Sequence, residues 1–383
     1  MIIERITVKI LFMTNIPSPY RVKFFSQLGR KCDLTVLYEM NRARNRNKNW
    51  KEEYTSTFRE IYMHTHQMID DGGISMDIFR YLKKNQYDFI IVGTHGTPTA
   101  KLAMLYMRLC HIPYILNIDG MLSAEIPDKS RVNKFLRKVM FQGASAYITS
   151  GEDTKKYLED LGIHLSSDTH IYHFSSVLKD DILKDIPSSE KKSTIKKRLG
   201  IRERKMIISV ARFIPKKGLD GLIKAFQEIK YSDVALVLIG GNEDVYTTIL
   251  KKIPEKVRSR IYFPGFMSKE KLYQYYQAAD IFVLPTHHDE WGLVINEAVA
   301  TALPVITTNR CGAGLEMIKN GENGYIVNHV SKDELKHAIV GLLDDSAKCA
   351  QMAENNLRLA HEYTIEKMVE DHLRIFREML NDN

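Results

Sequence analysis

Met206-Ile207-Ile208-Ser209-Val210-Ala211-Arg212-Phe213-Ile214-Pro215-Lys216-Lys217-Gly218-Leu219 reads as a strand, a turn and the first residue of a helix. The run from Met206 to Val210 is almost wholly apolar. A strand with two apolar faces must be covered on both sides, which a parallel sheet flanked by helices provides. Pro215 turns the chain, and Lys217-Gly218 stand immediately before a helix expected from Leu219 to Ile229.

The same alternation extends in both directions. Downstream, strands are expected at Ala235 to Ile239, Ile281 to Leu284 and Pro304 to Thr307, with helices at Lys269 to Ala278 and Leu293 to Ala302. Upstream, strands are expected at Val8 to Met13, Leu34 to Tyr38, Phe89 to Val92, Tyr114 to Ile118 and Ala146 to Thr149. A helix from Pro19 to Leu28 follows the first of these, with Ser18 suited to its N-cap and Pro19 to its first turn. The fold class is therefore α/β with two doubly wound parallel sheets.

Single cores stop growing at roughly 250–300 residues, so a chain of 383 residues divides naturally in two. The charged stretch from Lys179 to Ser193, with Pro187-Ser188-Ser189, reads as the linker. The expected domains are 1–190 and 191–364, followed by a helix in 365–383.

Composition places the chain among globular proteins, with 44% hydrophobic and 27% charged residues. No run of about 18 apolar residues and no leader-like opening is present, so a cytoplasmic location is expected. Cys32, Cys110, Cys311 and Cys349 are scattered, without the paired spacing of a zinc site. A net charge of +8 attracts phosphates without identifying their owner. Its concentrations are Arg42 to Lys48, Lys191 to Lys205 and an amphipathic helix from Lys129 to Lys138, which suits contact with an anionic membrane.

Ligands of open parallel sheets sit beyond the carboxyl ends of the strands. There the chain places Arg212 and Lys217, two cations beside a helix N-terminus and suited to a diphosphate. After the strand Ile281 to Leu284 comes Asp289-Glu290-Trp291-Gly292-Leu293-Val294-Ile295-Asn296-Glu297. Gly292 permits close backbone approach, and Leu293 opens a helix whose amides can meet phosphate oxygens. Carboxylates such as Asp289 and Glu297 accept pairs of hydrogen bonds from vicinal hydroxyls.

These two motifs resemble those of the family 4 retaining glycosyltransferases of the GT-B fold, and the likeness is densest from Ile207 to Val327. The family's arginine upstream of a Lys-Gly pair matches Arg212 and Lys217-Gly218, and its E-x7-E motif matches Asp289 to Glu297. The resemblance implies two Rossmann-like domains facing a central cleft, with the C-terminal helix crossing back to the first. It implies that Arg212 and Lys217 hold the donor diphosphate, Glu297 the ribose, and Asp289 the transferred sugar. Gly240-Gly241 and Phe263-Pro264-Gly265-Phe266 are similar to the family's nucleoside-lining loops. Asp289 departs from the usual glutamate, which leaves either Asp289 or Glu290 to meet the sugar.

The first half resembles the family's acceptor domain more loosely. Where the family has a Gly-rich turn after the first strand, this chain has Asn15-Ile16-Pro17-Ser18-Pro19-Tyr20-Arg21. Counting from Pro113, Asp119 stands where the family places a histidine, and the catalytic candidates are Asp119, Asp289 and His95, which also follows a strand. The chain contains no D-x-D sequence, so no metal and no other cofactor is expected. The partners implied are a nucleotide-sugar donor and a glycan or lipid-linked acceptor of surface polysaccharide assembly, with no nucleic acid. The rival readings are a nucleotide-sugar 2-epimerase-like enzyme and an inactive partner subunit. A nicotinamide dehydrogenase lacks its G-x-G-x-x-G here.

Overall fold

The computed structural model describes residues 6–42, 56–123, 131–165 and 169–381. The chain forms two compact units, Met1–Ser176 with Thr364–Asn383, and Val177–Tyr363.

The first unit contains β1 (Lys9–Thr14), β2 (Asp33–Tyr38), β3 (Arg59–Tyr62), β4 (His66–Ile69), β5 (Gly72–Ile74), β6 (Phe89–Val92), β7 (Ile115–Ile118), β8 (Ala146–Thr149) and β9 (Thr169–Ile171). Seven of these make a sheet in the order β3-β2-β1-β6-β7-β8-β9, and its pairs are parallel. The strand order reverses at β1, so the crevice between β1 and β6 is the ligand position of such a sheet. Strands β4 and β5 form a separate antiparallel hairpin.

The C-terminal helix, Ile365–Asn381, belongs to this unit. It packs on the helix Pro19–Gly29, where Gln27 Nε2 donates to Glu366 Oε1 at 3.1 Å and the His372 ring lies 4.8 Å from that of Phe24. Ser18 occupies the N-cap of Pro19–Gly29 in extended conformation, but its side chain accepts no capping bond.

The second unit contains β10 (Lys205–Val210), β11 (Val234–Ile239), β12 (Ile261–Gly265), β13 (Ile281–Leu284), β14 (Val305–Thr308) and β15 (Gly324–Val327). They form one parallel sheet in the order β12-β11-β10-β13-β14-β15. Every side chain of β11 and β13 is buried, and each such Leu, Ile or Val contributes roughly 1.5–3 kcal/mol through burial. The order reverses at β10, which puts the crevice between β10 and β13.

The stretch expected as an exposed linker is structured. Ser188 accepts a hydrogen bond from the Lys191 amide and caps a helix over Ser189–Arg198. That helix packs on Lys269–Ala278, and Lys192 and Lys196 both reach the Asp280 carboxylate. The division between units therefore falls at Ser176/Val177, ahead of residue 190. The basic helix runs over Arg131–Phe141; Lys129, Ser130 and the basic run beyond Arg42 lie outside the described residues. Among the described residues no helix is long and apolar enough to cross a membrane.

Candidate functional site

In the second unit the two sequence motifs leave neighbouring strands at the crevice. Arg212 follows β10, exposed, and its guanidinium has no partner among the described residues. Pro215–Lys217 form a single 3-10 turn closed by Gly218, whose φ is +66°. A side chain on Gly218 would place its Cβ 2.0 Å from the Pro285 carbonyl oxygen, so this turn requires glycine. The tight turn fixes Lys217, which is 8% exposed, and its Nζ donates to Asp289 Oδ2. Lys217 and Asp289, assigned separately to diphosphate and sugar, are thus ion-paired with one another.

The loop bearing Asp289 is held by its backbone. The Asp289 amide donates to the Arg310 carbonyl at 2.8 Å, and the Gly312 amide donates to the Asp289 carbonyl at 3.1 Å. Gly292 has φ +92°, and a Cβ there would meet Cys311 Sγ at 2.7 Å. Leu293 is the N-cap of a shorter helix than expected, Val294–Ala300, and the Ile295 amide already donates to the Gly292 carbonyl. Glu297 lies within this helix. Its Oε2 accepts a 2.8 Å hydrogen bond from the hydroxyl of fully buried Tyr276, and Oε1 has no protein partner among the described residues. Burial pushes the Glu297 carboxyl above the usual range, with Tyr276 and Lys269 opposing.

The nucleoside loops divide. Gly240 has φ +120°, and its amide donates to the Gly265 carbonyl at 3.3 Å. A Cβ on Gly241 would lie 2.5 Å from the Phe213 ring. Gly265 has φ +80° and ends β12, whereas Phe263 lies within that strand rather than in a loop. The Phe263 ring packs edge-on against Phe213, 6.1 Å between centroids, as part of the domain's own packing.

The first unit places Asp119 beyond β7, where its Oδ1 accepts two hydrogen bonds. One comes from Arg21 and the other from the Tyr172 hydroxyl at 2.6 Å. Arg21 is 2% exposed, with Phe12, Phe24, Phe25 and Phe174 rings 5.3–5.9 Å from its guanidinium carbon. Burial opposes the charge of Arg21, yet Asp119, together with Tyr172 and Tyr20, more than offsets it and holds the arginine protonated. The first turn of the helix Pro19–Gly29 thus delivers a buried cation to the acid expected to be catalytic. His95 follows β6 and packs edge-on against Phe141, 5.2 Å away. Burial, reinforced by Arg137 and Lys101, lowers its pKa to about 4, so the imidazole is neutral at physiological pH.

Several groups had no sequence signal. Tyr276 and the Lys269–Asp181 pair come from a helix and a turn with no motif. Glu39, 3% exposed, follows β2 and accepts from the Thr97 hydroxyl and the Gly73 amide; burial pushes its carboxyl up to about 7. A cavity of about 600 Å³ lined by Thr7, Asp33, Tyr87 and Asp88 lies at the amino ends of β1, β2 and β6, the end opposite the crevice.

Residues 191–358, nearly the whole of the second unit's sheet and helices, match the family model of glycosyl transferases group 1. The second unit is a group 1 glycosyltransferase domain. Over a longer stretch, 79% of this chain and 73% of the relative, the chain is 25% identical to a probable sucrose-phosphate synthase of Thermosipho melanesiensis. Other curated relatives are matched over about half of their own length. A sucrose-phosphate synthase from Thermosynechococcus elongatus superposes with a TM-score of 0.76 at 16% identity, covering 98% of this chain and all of its own. Anabaena Alr3699/HepE, solved in complex with UDP, does so at 0.74 and 17% identity over 98% of this chain and 100% of its own. At such identities the likeness establishes the fold, which is GT-B.

Proposed function

We propose that this glycosyltransferase moves a sugar, with retention of anomeric configuration, from a nucleotide-diphosphate sugar to a hydroxyl of a glycan or lipid-linked acceptor in surface polysaccharide assembly. The observation that carries the reading is the grouping of Arg212, the Lys217–Asp289 pair and Glu297 at the carboxyl ends of β10 and β13, within a group 1 glycosyltransferase domain. Arg212 awaits an anion, and Glu297 keeps one oxygen for a hydroxyl. A relative of the same fold binds UDP.

In this reading the diphosphate enters between Arg212 and Lys217, with the Gly292 and Leu293 backbone alongside. Its arrival competes with Asp289 for Lys217 and turns the Asp289 carboxylate, or that of Glu290, toward the sugar hydroxyls. Gly265, where a Cβ would meet only Asn242 Oδ1 at 3.8 Å, leaves room for the nucleoside, and Gly240 and Gly241, pressed on the Ala211 carbonyl and the Phe213 ring, shape the loop beside it. As the bond from the anomeric carbon to the diphosphate breaks, Arg212 and Lys217 take up the growing negative charge, which is work otherwise given to a metal. The acceptor hydroxyl attacks the same face. Asp119 and His95 serve the acceptor side, Asp119 as a fixed anion and His95 as a neutral imidazole.

The enzyme acts in the cytoplasm at the inner membrane face. Phe135 and Leu136, 64% and 50% exposed beside Lys134, suit contact with anionic lipid. Replacing these three by Ser, Ser and Glu should abolish sedimentation with anionic vesicles, and unchanged sedimentation removes the membrane from the account.

The test of function is incubation with a panel of nucleotide sugars and lipid-linked or glycan acceptors, read by NMR of the anomeric proton. Acceptor-dependent release of nucleoside diphosphate with a retained anomer is expected. An altered nucleotide sugar formed without acceptor establishes the epimerase instead.

A further inference from the structure

Beyond the diphosphate position, on the β14–β15 side of the second unit's sheet, four strand-end loops bring further cationic and imidazole groups together. Lys216 comes from the loop after β10, His287 from that after β13, Arg310 from that after β14 and His329 from that after β15. Their backbones are tied. The His287 amide donates to the Lys216 carbonyl at 2.8 Å, and the Arg310 carbonyl accepts from the Asp289 amide at the same distance. The His287 and His329 rings meet edge to face, with centroids 6.0 Å apart.

The charge of this group is uncompensated. Neither Lys216 nor Arg310 has a carboxylate partner among the described residues, and the nearby Asp289 is already engaged by Lys217. The tautomer of the neutral His329 ring is set by its neighbours. Asn309 Oδ1 accepts from the His329 amide and stands 3.2 Å from Nδ1, so Nδ1 carries the proton and Nε2 presents a lone pair. Partial burial, then Arg310 and His287, hold the His329 imidazole below its usual range. His288 is lowered by burial and by Lys216, Lys217 and Arg310, against the opposing pull of Asp289. An arriving anion relieves this crowding and allows His329 and His288 to take up protons.

The order of the strands indicates where such an anion belongs. Gly240 and Gly265 lie at β11 and β12, Arg212 and Asp289 at β10 and β13, and the new group extends to β14 and β15. Crossing the sheet in that order leads from nucleoside through diphosphate to whatever lies next to it. We propose that Lys216, His287, Arg310 and His329 form a second anion site, which takes a phosphate monoester or carboxylate borne on a sugar of the reaction. The inference rests on the donor reading of Arg212 and Lys217, and it narrows the substrate class to sugars that carry a negative charge.

The test is calorimetry at pH 7 on the full chain saturated with whichever nucleoside diphosphate stabilises it, so that the donor cradle is occupied. Inorganic phosphate, glucose 6-phosphate, glucuronate and glucose are titrated in turn. Phosphate and at least one of the two acidic sugars are expected to bind, and glucose to give no heat. In the Arg310→Gln/His329→Gln protein the anion affinity should fall by about tenfold or more, as for loss of charge-assisted bonds, while diphosphate affinity stays unchanged. Binding to the native chain should draw protons from the buffer, seen as a heat that varies with the buffer's ionisation enthalpy, and this uptake should vanish in the variant. Phosphate and glucuronate arms that differ identify which anion is taken. Anions that bind no better than glucose, or equally well to the double variant, overturn the site. A variant that loses diphosphate to the same extent shows that these residues belong to the donor cradle and equally overturns it. Failure of every diphosphate to bind refutes the donor reading instead, and the same titrations on the unliganded native and variant chains then decide the anion site alone.

Discussion

Glu39 offers a stability change whose size and pH dependence follow from its surroundings. Its carboxyl is 3% exposed and accepts hydrogen bonds from Thr97 and Gly73, joining the end of β2 to the β4–β5 hairpin and to the start of the helix Pro98–Leu109. Burial, with Asp71 adding to it, raises the group from 4.5 to about 7. A folded state that holds its proton more tightly than the unfolded state loses stability as pH rises between these two values. At about 1.4 kcal/mol per tenfold, the loss between pH 5 and pH 8 is about 2.5 kcal/mol from this residue alone. Glu39→Gln keeps an acceptor for the Gly73 amide and gives Thr97 a donor, but cannot ionise. Urea denaturation of both proteins at pH 5 and pH 8 should show the native chain losing about 2.5 kcal/mol more than the variant over that interval. Parallel pH dependence in the two proteins would refute the reasoning, because Glu39 would then ionise in the fold as readily as outside it.

Tyr276→Phe removes the donor that holds Glu297 Oε2, and loss of a hydrogen bond to a charged group is worth about 1.5–3 kcal/mol. The donor KM should rise about ten- to a hundredfold, more at low pH because the already raised Glu297 carboxyl protonates more readily; a lowered Tm with an unchanged KM would leave Tyr276 a packing residue. Asp119→Asn strands the buried Arg21 charge and should lower unfolding free energy by about 3–5 kcal/mol, much of it regained in Asp119→Asn/Arg21→Met. A stable Asp119→Asn protein without transferase activity would instead make the acid directly catalytic. Gly218→Ala forces a Cβ against the Pro285 carbonyl in a left-handed turn, and should reduce stability by about 1–3 kcal/mol while abolishing diphosphate binding in calorimetry.

The sequence was most legible where one physical rule dominates a short segment. Strands such as β11 and β13, buried on both faces, announce themselves as unbroken apolar runs, and the residues just beyond them are the natural ligand positions. Short or half-exposed strands escape that rule: β3 and β9 carry polar residues and pair with strands distant in sequence, and the β4–β5 hairpin, though local, is too short and exposed to show an apolar run. Pro264-Gly265 looks like a turn, yet it ends β12, because the missing proline N–H and the left-handed glycine are tolerated at that edge strand. The helix Ser189–Arg198 was obscured by its charge, of which Lys192 and Lys196 serve Asp280.

The candidate site shows the same division. Arg212, Lys217, Asp289 and Glu297 stand out by spacing, but the partners that set their chemistry do not. Lys217–Asp289 and Arg21–Asp119 join residues far apart in the chain, and only the parallel register of the sheets brings them together. Tyr276 reaches Glu297 from a helix whose three tyrosines, Tyr273, Tyr275 and Tyr276, are indistinguishable as sequence; one of them faces the carboxylate because of helical phase.

The central claim, a donor diphosphate site built on Arg212, is tested most directly by calorimetric titration of UDP, GDP, dTDP and ADP into the native chain and Arg212→Ala. One diphosphate should bind the native chain, and its affinity should fall by about ten- to a hundredfold in the variant, the worth of a charged hydrogen bond. Equal affinity in the two proteins, or no binding of any diphosphate to the native chain, would contradict the account.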